Sequence, residues 1–311
     1  MVRTTPPRPV DIAAIFPELS AHRATATRLH PRAGRPTVHD SSVGGPLMWP
    51  AEEPWPYCER EHEASVLVKP DDVRRWRQIL LMPKGERPEL PDLDESEPEE
   101  LAHGPIAMLP VMQLYRKDIP DFIGPADADV LQVLWCPLDH PDEHYSPHVF
   151  LKWRNTSGVT EVLVDPPQPV VVSDSYLPEP CVLHPEQVAE YQYRLLLPPD
   201  LSASIKDWEA TSDLSYQSDL SISPGYKVAG FASWHLTDPY PMDCDECGSA
   251  MSLLVTIASY DGNGTEDSWA PVEDQGSRAG NDTEILIGRG YALWVFFCPQ
   301  SFEHPCKASM Q

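Results

Sequence analysis

Cys244 and Cys247 are separated by two residues, Gly248 follows directly, and Cys298 and Cys306 come later in the chain. A Cys-x-x-Cys turn can place two thiolates on one tetrahedral zinc ion, and a glycine behind it lets the backbone fold around the metal. Sulfurs from Cys298 and Cys306 would complete a closed structural site. Other uses of these residues exist. The pair could act as a redox dithiol, although its surroundings lack the strand-then-helix setting of a thioredoxin-like site. Cys298, at the end of an apolar run, has the setting of an ordinary buried thiol. Cys306 lies five residues from the end of the sequence, where order is often lost, and His304 could replace it.

The first half of the chain carries a weaker version of this set in Cys58, Cys136, His140, His144 and His148. Cysteine with clustered histidine also binds zinc. Cys58 has no second cysteine near it, however: Glu59, Arg60 and Glu61 follow, and His62 comes one position late. The set therefore reads as a degenerate remnant, and Asp139, Asp142 and Glu143 as a solvated acidic loop. No Gly-x-Ser-x-Gly elbow, no phosphate-binding glycine loop with lysine and no His-Glu-x-x-His is found. Among 48 acidic residues, no carboxylate pair stands out as an acid–base dyad. Trp135 and Trp294 lie in apolar runs and belong to a core. Trp49 and Trp55 sit among Pro46, Pro50, Pro54 and Pro56, in a stiff loop that would lose little entropy on binding. They are the expected contacts for a protein partner.

Short elements must position these residues. The 36 prolines scattered along 311 residues argue against long helices and for short strands joined by turns. Residues 11–29 read as one or two short helices broken at Pro17, and residues 71–81 as another helix with acids at its start. Residues 83–105, rich in proline and acid, are expected to form a mobile surface loop. Strand-like runs then dominate: MLPVMQLY, ADVLQVLWC, HVFLKWR, TEVLVD and PVVVSD, and later KVAGFASWHL, AMSLLVTIASY and GYALWVFFC. EQVAEYQYRLLL fits helix and strand alike. The expected fold is α+β and β-dominated. It has an N-terminal helical segment at 1–39, a first β-rich half at 40–198, a linker at 199–225 and a second β-rich half at 226–311.

The order of signals repeats. Gly44-Gly45, Trp49 and Cys58 are echoed by Gly230, Trp234 and Cys244. The run MLPVMQLY is echoed by the Met251-led strand, and LQVLWCP, which contains Cys136, by ALWVFFCP, which contains Cys298. A tandem duplication accounts for all of these with fewest assumptions. It predicts Cys136 and Cys298 at equivalent positions.

The net charge of −25 argues against a nucleic-acid-binding surface, since neutralising phosphates requires lysine and arginine. It favours a basic protein partner, and serves solubility equally well. The start of the sequence has no signal-peptide core, and no apolar run is long enough for a membrane span. Seven cysteines, an odd number, fit a disulfide framework poorly, so a cytoplasmic setting is expected. The sequons at Asn155, Asn263 and Asn281 are then chance matches.

Several of these passages resemble the YwqG-like family. SSVGGPLMWPAEEPWP is similar to its Gly-Gly…Trp-Pro opening, and MLPVMQLY to its Met…Leu…Gln strand. KVAGFASWHL with DCDECGSAMSLLVTIAS resembles its second-half segment, in which Cys-x-x-Cys-Gly leads into a strand. The resemblance runs, with gaps, from about Arg28 to the C-terminus. Ala229 departs from it where a glycine is usual, and His235-Leu236 stand near a usual glutamine. The wider relatives include the programmed cell death protein 2 group, a chaperone for a ribosomal protein, and bacterial members found beside secreted toxin systems and taken for immunity proteins. The resemblance thus implies a non-enzymatic, protein-binding protein that holds a basic toxin or ribosomal-type partner, and the cysteine spacing adds the expectation of zinc in a structural role. A zinc-dependent enzyme, marked by an open coordination position, and a thiol redox sensor built on Cys244 and Cys247 are the alternatives.

Overall fold

The structure is a computed structural model, and it describes residues 3–63, 66–90, 96–262, 268–276 and 280–311. Part of the 83–105 segment and the sequon at Asn263 lie outside these residues. The strands are β1 (Arg23–Arg28), β2 (Arg32–Ala33), β3 (Ser42–Val43), β4 (Tyr57–Cys58), β5 (Ile106–Ala107), β6 (Leu109–Tyr115) and β7 (Val130–His140). They continue with β8 (Ser146–Arg154), β9 (Cys181–Val182), β10 (Glu186–Tyr191), β11 (Lys227–Ala229), β12 (Ser252–Ala258), β13 (Ala292–Phe297) and β14 (Lys307–Met310). The α-helices are α1 (Ile12–Ile15), α2 (Pro70–Leu81) and α3 (Pro199–Glu209). The fold is α+β and β-dominated, as the prolines and short apolar runs predict. Among the described residues, no helix is long and apolar enough to cross a membrane.

Two six-stranded antiparallel sheets have the orders β2-β9-β3-β6-β7-β8 and β10-β1-β11-β12-β13-β14. Their registers coincide. β6 pairs with β7 from Leu109–Trp135 to Tyr115–Val130, with a bulge between Pro110 and Met112. β12 pairs with β13 from Ser252–Phe297 to Ala258–Ala292, with a bulge at the same step, between Leu253 and Val255. β3 joins as Ser42–Gln113 and Val43–Met112, and β11 as Lys227–Thr256 and Val228–Val255. A shared strand order, register and bulge is the mark that a duplication leaves. Trp135 and Phe297 close the two ladders, so Cys136 and Cys298 follow at equivalent places.

Residues alternate between two cores along each central strand. Leu131, Val133 and Trp135 of β7 share one large cluster with Leu293, Val295 and Phe297 of β13. The opposite faces have clusters of their own, Leu134, Cys136 and Leu138 on one sheet and Trp294 and Phe296 on the other. Burial on both faces explains why these strands read as continuous apolar runs.

The boundaries differ from the sequence expectation. The helical pattern of residues 11–29 stops at a 3-10 turn, Pro17–His22, and Arg23–Arg28 is a strand. RATATR alternates small and polar residues, and its pairing with β10 and β11 decides its state. The 1–39 segment thus supplies β1 to the second sheet and β2 to the first. Residues 199–225 are no free linker: Leu201, Ile205, Tyr216 and Leu220 form a core with Ile12 and Leu19. TEVLVD contributes only an isolated bridge from Val162 to Pro50, and PVVVSD one from Val172 to Val68. EQVAEYQYRLLL opens as the strand β10. In the segment 83–105, the Glu97 amide donates to the Leu67 carbonyl (2.7 Å) and Ala102 is buried, so its described C-terminal part is pinned to the body.

Candidate metal centres

Cys58 ends β4, and Cys136 and His140 lie in β7. Reciprocal backbone bonds between Glu63 and Asp139, 2.9 and 3.0 Å, draw the chain after β4 against the end of β7. Cys58, His62, Cys136 and His140 therefore present ligand atoms that all lie within 4.8 Å of one another. Cys58 Sγ is 3.3 Å from His140 Nε2. His62 Nδ1 lies 3.0 Å from the Ala102 carbonyl, which fixes it as the donor, while its Nε2 is buried without a hydrogen-bond partner. His140 Nδ1 also faces away from the cluster, 3.3 Å from the Ser146 carbonyl and 3.2 Å from the His148 amide nitrogen. Carbonyl partners of this kind orient metal-binding imidazoles, and a buried, orphaned nitrogen among thiols is what a cation would satisfy.

Charge at this centre is arranged for the same end. The Cys136 thiol, followed by His140 and His62, stabilises the Cys58 thiolate against burial and holds its pKa far below the ordinary thiol value. Burial, then the neighbouring Cys58, pushes the Cys136 thiol up. Burial works against the His62 cation, but the nearby Cys58 outweighs it and raises the imidazole. The first-half set is complete rather than degenerate, with His62 in the place expected for His144 or His148. His148 Nδ1 instead meets Glu143 Oε1 at 2.6 Å, and His144 is exposed in the β7–β8 turn.

The second centre joins Cys244, Cys247, Cys298 and His304, again within 4.8 Å. Cys244 Sγ is 3.4 Å from His304 Nδ1, and Cys247 Sγ is 3.5 Å from Cys298 Sγ. The turn folds as the glycine requires. The Gly248 amide donates to the Cys244 carbonyl (2.8 Å) and the Cys244 amide to that of Ser249 (2.9 Å). Gly248 has φ +68°, a region that strains other residues. Cys244 and Cys298 are buried and Cys247 is exposed. Hydrogen bonds from Ser249, and then from Cys298 and Cys244, bring the Cys247 thiol down to about 6. Cys306 is not a member. It packs against the core between the sheets, with Sγ 3.6 Å from the Val149 carbonyl, and His304 takes its place.

Trp49 and Trp55 are not surface contacts. They are 2% and 8% exposed, with ring centroids 5.0 Å apart. Their indole N–H groups donate to the Glu53 carbonyl (3.2 Å) and the Met108 carbonyl (2.9 Å). The proline-flanked loop is stiff because it is folded onto the sheet as core. The large side chains exposed next to the first centre are Tyr57, Leu101 and Tyr145. Exposed Glu59, Glu61, Glu63, Glu99, Glu100 and Asp142 are their neighbours along the same segments.

All seven cysteines are free thiols, six of them in the two centres or in the seam beside them, and Cys181 in the core. Each centre offers four protein donors of the type that holds a tetrahedral metal ion. Comparison with protein-family models gives no match, and comparison with curated proteins gives none either.

Proposed function

We propose that the protein is a non-enzymatic binding protein, pinned by a structural zinc ion in each half, that receives a basic protein partner on the acidic, tyrosine-bearing surface beside the first centre. The supporting observation is the pair of complete four-donor sets at equivalent strand ends. Thiolate with imidazole favours zinc among the common cations. Four protein ligands leave no position for a water or substrate, which weighs against a zinc-dependent enzyme. With Trp49 and Trp55 in the core, Tyr57 and Tyr145 are the exposed aromatic side chains beside the first centre, and the charge of −25 speeds encounter with a cationic protein. A toxin or a ribosomal-type protein, the partners that the YwqG-like resemblance implies, is cationic because it engages phosphate itself.

Metal analysis of protein purified without chelator, joined to binding measurements against a basic partner isolated with it, tests this. About two zinc ions per chain, binding that weakens as salt rises, and faster dissociation for Tyr145→Ala with unchanged melting are expected. Protein that holds no metal and still melts at the same temperature in chelator would overturn the zinc assignment. Binding indifferent to salt and to Tyr145→Ala would overturn the surface.

A further inference from the structure

The duplication makes each half a control for the other, and behind one sheet position they part. In the first half, Gln113 Oε1 accepts from the Met48 amide (2.7 Å) and from Gln132 Nε2 (2.9 Å). Its Nε2 donates to the carbonyls of Val38 (2.9 Å) and Asp40 (3.3 Å), and Gln132 Nε2 also donates to the Met48 carbonyl (3.1 Å). One carboxamide thus ties β6 to the chain on both sides of β3. In the second half, Thr256 pairs with Lys227 as Gln113 pairs with Ser42, so it holds the place of Gln113. Trp294 holds that of Gln132, since each faces that position across its ladder. Counted along the chain from the same pair, Ser223, Gly225 and Ser233 stand for Val38, Asp40 and Met48.

Trp294 is larger than Gln132, but Thr256, Ser223, Gly225 and Ser233 are smaller than Gln113, Val38, Asp40 and Met48, and a cavity of about 530 Å³ remains, bordered by the four smaller residues, His235 and Trp294. Thr256 is 4% exposed, and its Oγ1 has no hydrogen-bond partner. Among the described residues, no hydrogen bond engages the Ser233 amide or carbonyl, or the carbonyls of Ser223 and Gly225. These correspond to the groups that Gln113 and Gln132 satisfy in the first half. Lys227 also borders the cavity, but its ammonium is taken up by Glu190 Oε1 and Oε2 (2.8 and 2.9 Å) and the Phe231 carbonyl (2.8 Å). Among the described residues no free cation is offered there, so the complementary ligand is neutral.

We infer that this cavity is a socket for a primary carboxamide, the group that Gln113 supplies from within the chain in the other half. A carboxamide brings a donor and an acceptor on one planar edge, which the carbonyls of Ser223 and Gly225 and the Ser233 amide match. The volume lies in the range of ordinary ligand sites and admits more than the amide alone. The source is either a small free amide or the glutamine or asparagine side chain of a partner's loop. The socket is independent of the metal centres and of the acidic surface.

Titration of the ¹⁵N-labelled protein with isobutyramide, and separately with a blocked Ala-Gln-Ala tripeptide, tests the inference. Saturable shifts at the amides of Gly225, Ser233 and Thr256 are expected, with no response to isobutyric acid or to the Ala-Glu-Ala tripeptide. A tighter response to isobutyramide marks a free amide as the source, and a tighter response to the tripeptide marks a partner's loop. Thr256→Gln should plug the socket as Gln113 does, raise the melting temperature and abolish both responses. If that variant does not fold, Ser233→Met, which restores the residue found at Met48, gives the second plug. Absence of saturable shifts with both amides, equal shifts with the acids, or undiminished binding in a folded plugged variant would each overturn it.

Discussion

The ligand sets turn on single residues whose direction a strand decides. Cys306 lies one residue before β14 and faces the core between the sheets, while His304 reaches the thiols of the second centre. With the proposed zinc ion in each centre, Cys306→Ser should therefore leave the metal content unchanged, whereas His304→Ala should lower it from about two ions per chain to about one, read by elemental analysis. Ala229 is a second case. Its φ of +60° matches the +63° of Gly44, the residue at the equivalent place, and lies where a Cβ is strained. Ala229→Gly should stabilise the fold by about 1 kcal/mol, seen as a rise of a few degrees in melting temperature. The reverse change at Gly44 would set a Cβ 2.6 Å from the Glu179 carbonyl oxygen and should destabilise.

Between elements, charge is spent in two buried places. Glu190 of β10 accepts from Lys227 of β11, from the amide and hydroxyl of Ser223, and from the Phe231 amide. Both members of the ion pair are almost wholly buried. Removing the cation alone leaves an uncompensated buried carboxylate, so Lys227→Met should cost about 3–5 kcal/mol in urea unfolding, and adding Glu190→Gln should recover part of it. Asp261, beyond β12, meets His30 Nδ1 at 3.1 Å and Arg32 of β2 at 2.8 Å, and so ties one sheet to the other. Burial works against its carboxylate, but the bond from His30 and the charges of His30, Arg28 and Arg32 hold it below the usual range. A depressed folded value contributes stability that is complete above about pH 4 and fades as pH falls through that folded value. The acid limb of a melting-temperature profile should accordingly be shallower in Asp261→Asn than in the native protein.

At the scale of the molecule, the two halves are interlocked. β1 from the N-terminal segment and β10 from the first half pair into the second sheet, and both sheets share one core. The chain should therefore unfold as one unit. Chelation is expected to shift a single calorimetric transition downward, and residues 226–311 expressed alone are expected not to fold, since β11 would lose its β1 neighbour. Two separate transitions in chelator would contradict this.

Local patterns by themselves determined the β-rich class, the α2 helix, the repeat and the Cys-x-x-Cys turn, because each depends on short-range periodicity or on a turn of a few residues. The repeated order of LQVLWCP and ALWVFFCP reached as far as the equivalence of Cys136 and Cys298. The first centre was half legible: Cys58–His62 and Cys136–His140 both read Cys-x-x-x-His, a spacing hidden by comparison with the Cys-x-x-Cys of the other half. Tertiary structure alone decided the rest. Which of His304 and Cys306 joins the second cluster depends on the face that a strand end presents, and whether Trp49 and Trp55 are anchors or core depends on the loop folding back onto β6 and β7. The state of RATATR was settled by β10 and β11, more than a hundred and fifty residues away in sequence. Such pairings are made by distant partners, and no window of neighbouring residues contains them.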